Sequence, residues 1–131
     1  MVDPVPEKIV VKDLSIDYGG VPALKDVNFS VKDKEILGVI GPANSGKTSF
    51  LRALNRLNDL YLSCRMKGSI LLNGKDINRE MDAEEVRRKV TMVFALPIPL
   101  PMSIFDNVAY GPRRHGMKDK KQLAESGAIL A

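Results

Sequence analysis

The chain has 131 residues, 44% hydrophobic and 27% charged, which is the composition of one ordinary globular domain. Its net charge is +4, but acidic residues are interleaved with the basic ones, so nucleic-acid binding is not favoured. No apolar run reaches the roughly 18–20 residues that span a bilayer, and residues 1–7 do not resemble a secretion signal. The single cysteine, Cys64, excludes an internal disulfide and is typical of a reducing cytosol, where we expect an inert thiol.

The N-terminal third predicts β-strands. Residues 1–8 are proline-rich, and we expect a loose arm there. Residues 9–18 are strand-like, Gly19-Gly20 predicts a turn, and residues 24–31 roughly alternate between apolar and polar side chains. Since strands joined by short turns pair with each other, we expect a small antiparallel β portion.

Residues 36–58 predict a strand, a glycine loop and a helix. Residues 41–48 read GPANSGKT, which fits the phosphate-binding pattern of Gly, four residues and Gly-Lys-Ser/Thr. The apolar run before it, 36–40, predicts a buried strand. After it, leucines and a phenylalanine recur at helical spacing, so we expect a helix from Gly46 to Asn58.

The spacing within the loop has a chemical reason. Gly41 and Gly46 allow backbone angles and close approaches that a side chain would block. Backbone N–H groups can then surround an anion at the positive end of the helix. Lys47 is placed to reach the outer phosphates, and the Thr48 hydroxyl is placed to hold Mg²⁺. We therefore predict a site for a nucleoside triphosphate with Mg²⁺; the alternative is a plain glycine turn with a surface lysine.

The middle of the chain predicts further alternation of strands and helices. We expect a connection at 60–67, a strand from Ser69 that ends at the tight turn Asn73-Gly74, and a helix that begins after Asp82. Residues 90–94 read as another buried strand.

The last third predicts a stiff loop and helices. Pro97, Pro99 and Pro101 exclude regular structure. We expect Ser103 to cap a short helix that runs to Tyr110 and is stopped by Gly111-Pro112. Residues 119–131 have helical composition.

Together these features resemble the first half of the ATP-binding subunit of an ABC transporter, from Ile9 to the end of the chain. Tyr18 precedes the glycine loop, as does the aromatic residue that stacks on adenine in that family, and residues 68–77 match the strand and turn after its first helix. The resemblance implies an α/β fold, a partial P-loop NTPase core of the ABC ATPase type with an N-terminal antiparallel β subdomain. Residues 9–94 would form the β subdomain and P-loop core, and residues 95–131 the coupling loop and the start of a helical subdomain.

Two stretches resemble the ATPase of bacterial phosphate importers in particular. They are LNRLNDL at 54–60 and the longer PIPLPMSIFDNVAYGPR at 97–113. The resemblance implies ATP hydrolysis that drives phosphate uptake, a second ATPase subunit as partner, and contact with membrane-spanning permease subunits through Pro97–Arg113. It also implies a cytoplasmic location on the inner face of the plasma membrane. The alternative for 97–113 is a hydrophobic loop that packs on its own core.

The predicted ligands are ATP and Mg²⁺, with Thr48 as the residue that holds the metal. The predicted nucleotide-binding residues are Tyr18, Gly41, Pro42, Ala43, Asn44, Ser45, Gly46, Lys47, Thr48 and Ser49. No catalytic residue is identified.

The sequence also departs from the family pattern. Ala95 follows Val93-Phe94, where the family has a glutamine that touches Mg²⁺ and senses the membrane subunits. The Asp-Glu strand, the Leu-Ser-Gly-Gly-Gln-type signature and the switch histidine do not occur in these 131 residues, and we interpret His115 as a surface histidine.

We therefore expect little hydrolysis by this chain alone. It is either part of an importer ATPase or a regulatory nucleotide-binding module without catalysis. A small GTPase or a nucleotide kinase is disfavoured, because those usually begin with the glycine loop.

Overall fold

The computed structural model describes residues 5–130, and the side chains of residues 5–125. The chain divides into two compact units, residues 1–93 and residues 94–131. In the first unit the elements are β1 (Glu7–Tyr18), β2 (Val21–Lys32), α1 (Lys47–Leu54), a 3₁₀ turn (Leu57–Leu60), β3 (Cys64–Leu72), β4 (Lys75–Asp76) and α2 (Ala83–Lys89). The second unit contains α3 (Ile104–Arg114) and α4 (Lys120–Leu130).

The strands form one antiparallel sheet in the order β2-β1-β3-β4. A tight turn at Gly19-Gly20 joins β1 to β2, and both glycines have positive φ. A second turn at Asn73-Gly74 joins β3 to β4. The antiparallel β portion and both turns are therefore confirmed. β1 begins at Glu7, inside the predicted arm, whose residues 1–4 lie outside the described part of the chain.

The core of the first unit lies between one face of this sheet and the helices α1 and α2. β1 contributes every second or third residue to it, because alternate side chains of a strand point to the same face. Its buried members are Val11, Leu14, Ile16, Phe50, Ala53, Ile70, Leu72, Ile77, Met81 and Val86. Burial of these side chains stabilises the packing of α1 on the sheet. It thereby fixes the start of α1, where the glycine loop ends.

The two predicted buried strands are wrong. Residues 36–40 form no strand, and Ile36 and Ile40 are 98% and 95% exposed. Residues 90–94 form none either, and Val93 is 91% exposed. A buried strand needs hydrogen-bonded neighbours and covered faces, and in the described part of the chain neither segment pairs with a strand. An apolar run alone therefore did not predict correctly whether either segment forms a buried strand.

The first helix is shorter than predicted. α1 ends at Leu54, and Arg56 has a left-handed φ of 59° that separates it from the 3₁₀ turn. The Arg56 guanidinium donates to the backbone carbonyls of Ile77 and Met81, at 3.2 and 2.9 Å. These tertiary bonds compensate for the strained backbone, and they could not be deduced from the helical spacing. The predicted connection at 60–67 is also partly wrong, because β3 begins at Cys64.

The predicted helix after Asp82 is present as α2, with Asp82 at its N-cap. Asp82 followed by Glu85 resembles a helix-capping arrangement in the sequence, but the Asp82 side chain makes no capping hydrogen bond, so that expectation is wrong. Instead, opposite charges four residues apart line the helix, at Glu84–Arg88 and Glu85–Lys89, both 2.8 Å.

In the second unit, residues 97–101 have no regular structure, and Ser103 caps α3 by accepting from the Asp106 N–H, both as predicted. Hydrogen bonds from Ser103 and from Arg113 hold the pKa of Asp106 below its usual value.

α3 does not stop at Gly111-Pro112 but continues to Arg114. Pro112 lies in the last turn, where its missing N–H removes only one helical bond. α4 extends from Lys120 to Leu130 and confirms the predicted helix up to Leu130, while Ala131 lies outside the described residues.

Candidate functional site

The glycine loop enters α1 through Gly46, which is the N-cap residue and has a φ of +88°. A Cβ at this position would lie 2.4 Å from the Ala23 carbonyl oxygen and 2.7 Å from Leu24 Cδ2 on β2. Both the backbone conformation and the space therefore require glycine. Gly46 is the point at which the loop, the helix and the sheet fit together.

Gly41 is less constrained than its place in the motif predicts. Its φ is not positive, and the nearest atom to a Cβ would be the Ser45 side-chain oxygen at 2.9 Å, which can rotate away. The left-handed conformation inside the loop belongs to Asn44, with a φ of 62°. Asparagine tolerates that conformation better than most residues, a role that the glycine-loop pattern does not predict.

The Lys47 side chain folds back into the loop. Its ammonium donates to the Gly41 carbonyl at 2.8 Å, to the Pro42 carbonyl and to the Ser45 hydroxyl at 3.1 Å. An ammonium has three protons, so the loop oxygens occupy all of its donors. A phosphate that binds Lys47 must replace at least one of these contacts.

Tyr18 and the second half of the loop line the same cavity. It has a volume of about 340 Å³, within the range of small-molecule sites. Its lining residues are Tyr18, Val21, Pro22, Ala23, Asn44, Ser45, Gly46, Lys47, Thr48 and Ser49. The structure thus brings together seven of the ten predicted site residues, since Tyr18 and residues 44–49 are in that lining.

The other three predicted residues lie elsewhere in the loop. Gly41 and Pro42 line a separate apolar cleft of about 480 Å³ beside β2, which Ser45 and Lys47 also reach. Ala43 lines neither space.

The start of α1 favours an anion. Its first N–H groups have no intrahelical acceptor, no side chain caps them, and the first turn has no acidic residue. The helix dipole adds positive potential at this end. Thr48 and Ser49 lie in this first turn and face the cavity.

These residues fit ATP with Mg²⁺. Within the described residues no group of three His, Cys, Asp or Glu side chains could hold a metal ion. A Mg²⁺ ion would therefore be held by the Thr48 hydroxyl together with phosphate oxygens and water, a ligand set that this ion accepts.

Tyr18 is fixed at its hydroxyl. The O–H donates to Asn58 Oδ1 at 2.9 Å, and the Tyr61 ring lies 5.9 Å away in an edge-to-face arrangement. Burial raises the pKa of the neighbouring Cys64 thiol, while its hydrogen bond with Tyr18 acts in the opposite direction. The raised pKa fits the expected inert thiol, because the reactive form is the thiolate.

Ala95 and His115 belong to the second unit. Ala95 offers only a methyl group, so it cannot replace the ligand atoms of a glutamine. His115 is exposed at the C-terminal end of α3, as expected for a surface histidine.

Comparison with known families identifies the chain. The model of the ABC transporter family matches residues 24–129, which include the whole glycine loop and α1. The chain belongs to the ABC transporter family. It is an ATP-binding module of the P-loop NTPase type, of which the structure describes a partial domain, and domains of this family bind ATP with Mg²⁺, hydrolyse it, dimerise and pair with membrane permeases.

Tyr18 lies outside the matched residues, so the family match does not test its predicted role, and the structure adds only that Tyr18 lines the cavity. In the part of the chain that the structure describes, no helix is long and apolar enough to cross a membrane.

Proposed function

We propose that this chain binds Mg²⁺-ATP through its glycine loop and is the ATP-binding subunit, or part of it, of an ABC importer for inorganic phosphate. The observation that supports the binding site is the shared cavity of Tyr18 and residues 44–49. Tyr18 is far from the glycine loop in the sequence, yet both line one cavity. A glycine turn with no ligand would not need an aromatic ring as a second wall of such a cavity.

Each part of the cavity has a role in this proposal. The N–H groups at the start of α1 and Lys47 hold the β- and γ-phosphates. The Thr48 hydroxyl takes one position on Mg²⁺, and the ring of Tyr18 stacks on the adenine.

The choice of phosphate as the transported anion rests on residues 54–60 and 97–113, which resemble phosphate importers. Within the second unit, Leu96, Ile98 and Ile104 are 78%, 88% and 87% exposed. This exposure favours a docking surface over a loop that packs on its own core. We propose that Pro97–Arg113 contacts the permease subunits at the cytoplasmic face of the plasma membrane. A proline-stiffened loop loses little entropy when it docks.

The described cavity has groups for binding ATP but lacks a group that hydrolysis needs. Phosphoryl transfer needs a group that orients the attacking water, besides the phosphate and metal ligands. No residue of the described cavity is a carboxylate, a glutamine or a histidine. The second candidate is therefore a regulatory module that binds ATP and obtains the missing groups from another subunit. Ala95 favours this alternative.

Two measurements test the proposal. Steady-state phosphate release by the purified chain should be close to background, and robust hydrolysis that Lys47→Ala abolishes would contradict the incomplete site. In cells that produce the protein, disruption of its gene should lower uptake of radiolabelled phosphate and leave sulfate uptake unchanged. An unchanged phosphate uptake would refute the assigned cargo.

A further inference from the structure

The Asn58 side chain uses both ends of its amide inside the core. It is 3% exposed. Its Oδ1 accepts from the Tyr18 hydroxyl at 2.9 Å, and its Nδ2 donates to the Ser49 carbonyl at 3.0 Å. One buried amide thus connects the end of β1 to the first turn of α1.

Both partners of Asn58 line the candidate nucleotide cavity. Tyr18 forms the wall assigned to the base, and Ser49 follows Thr48 on the wall assigned to the phosphates. We propose that Asn58 is a positioning residue that sets the Tyr18 ring relative to the phosphate loop, so that base and triphosphate bind together. This inference rests on the proposed binding of ATP.

The position of Tyr18 explains why such an anchor matters. It is the last residue of β1 and precedes two glycines with φ of 61° and 86°. The adjacent ring of Tyr61 is itself 43% exposed. A hydrogen bond to a buried amide that makes a second hydrogen bond of its own fixes the ring more firmly than edge contact with a partly exposed ring. A ring fixed beforehand loses less entropy when a base stacks on it.

Asn55 is a matched control for a purely structural role. It is also buried, at 4% exposure, and lies three residues earlier. Its Oδ1 accepts from the Leu57 N–H at 3.3 Å, which is a local turn contact. It does not line the cavity. Loss of its side chain should therefore affect stability without a preference for one ligand.

The test compares Mg²⁺-ATP with Mg²⁺-tripolyphosphate, which has the phosphates but no base, by calorimetric titration of the full chain. Tyr18→Phe and Asn58→Ala should each weaken ATP binding by ~3- to 10-fold, the range for one lost hydrogen bond. Tripolyphosphate binding should change less than ~2-fold, because Lys47, Thr48 and the N–H groups at the start of α1 are unaltered and lie apart from the Tyr18 hydroxyl. The double variant should lose no more affinity for ATP than either single variant does. Asn55→Ala should leave the ratio of the ATP and tripolyphosphate affinities at the wild-type value.

Two results would overturn the positioning role. One is an unchanged ratio of ATP to tripolyphosphate affinity in both single variants, which is what an equal loss for both ligands would give. The other is a ratio that Asn55→Ala lowers as much as Asn58→Ala does. If Asn58→Ala does not fold, Tyr18→Phe decides alone, since it removes one oxygen and keeps the ring. A wild-type chain that binds ATP no more tightly than tripolyphosphate would refute the base-stacking part of the proposed function as well, and that result needs no variant.

Discussion

Single residues decide whether the loop can fit between the sheet and the helix. The sequence motif correctly indicated that Gly46 is required, but the reason lies in a long-range contact with the Ala23 carbonyl, which a motif does not contain. The motif overstated Gly41, where rotation of Ser45 leaves room for a side chain. It also gave no sign of Asn58, because the partners of a buried amide depend on tertiary packing.

Gly46→Ala should destabilise the chain more than a glycine replacement in open space. Gly74 is the control, since its φ of +81° is similar and nothing lies within 4 Å of a Cβ there. Gly74→Ala should cost ~1–2 kcal/mol for the left-handed conformation alone. Gly46→Ala adds a clash with β2, so we expect ~2–4 kcal/mol. Urea unfolding of both variants measures the difference, and equal losses would contradict the close approach to Ala23.

At the scale of elements, the sequence patterns correctly predicted the structures that depend on interactions between residues close in the chain. The hairpin of β1 and β2, the Asn73-Gly74 turn and the Ser103 cap depend on neighbours in sequence, and all three are present. The strands at 36–40 and 90–94 are absent, and in the described part of the chain neither segment has a strand neighbour, which an apolar run by itself does not reveal. The end of α1 was missed for a related reason, since it depends on the Arg87 side chain of α2 and on backbone carbonyls of the β4–α2 connection.

Arg87 of α2 closes the C-terminal end of α1. Its guanidinium donates to the carbonyl of Asn55 at 3.3 Å and to that of Arg56 at 2.8 Å. Carbonyls at a helix end lack intrahelical donors and favour a cation. The guanidinium therefore stabilises the point where the helix gives way to the 3₁₀ turn and to Asn58.

We expect Arg87→Met to lower the free energy of unfolding by ~2–3 kcal/mol, because two partly buried carbonyls lose charged donors. Arg88→Met is the control, as Arg88 is half exposed and pairs with the exposed Glu84. It should cost no more than ~0.5 kcal/mol. Chemical denaturation of the two variants measures this, and similar losses would mean that the Arg87 contacts contribute nothing beyond a surface ion pair.

At the scale of the whole molecule, the first unit leaves apolar surface uncovered. Leu37 and Val39 line the apolar cleft of about 480 Å³ between β2 and the segment before the loop. Ile36 and Ile40, in the same segment, are almost fully exposed. Exposed apolar segments without strand neighbours tend to associate with other copies.

The isolated chain should therefore self-associate in a concentration-dependent way. Charged replacements at these two exposed positions, Ile36→Lys and Ile40→Glu, should shift it toward monomer with less than ~0.5 kcal/mol change in stability, because neither side chain is buried. Sedimentation velocity over a range of concentrations measures this. A wild-type chain that stays monomeric and unfolds in one sharp thermal transition would contradict the prediction.

The central claim is that the glycine loop of this ABC transporter family member binds Mg²⁺-ATP, and calorimetric titration of the full chain tests it most directly. The wild-type chain and Lys67→Ala, which removes an exposed lysine on β3, should give the same saturable binding. Lys47→Ala should weaken binding by at least ~10-fold, the effect of one lost charge-assisted hydrogen bond. No binding by the wild type, or equal affinities of the wild type and Lys47→Ala, would contradict the account.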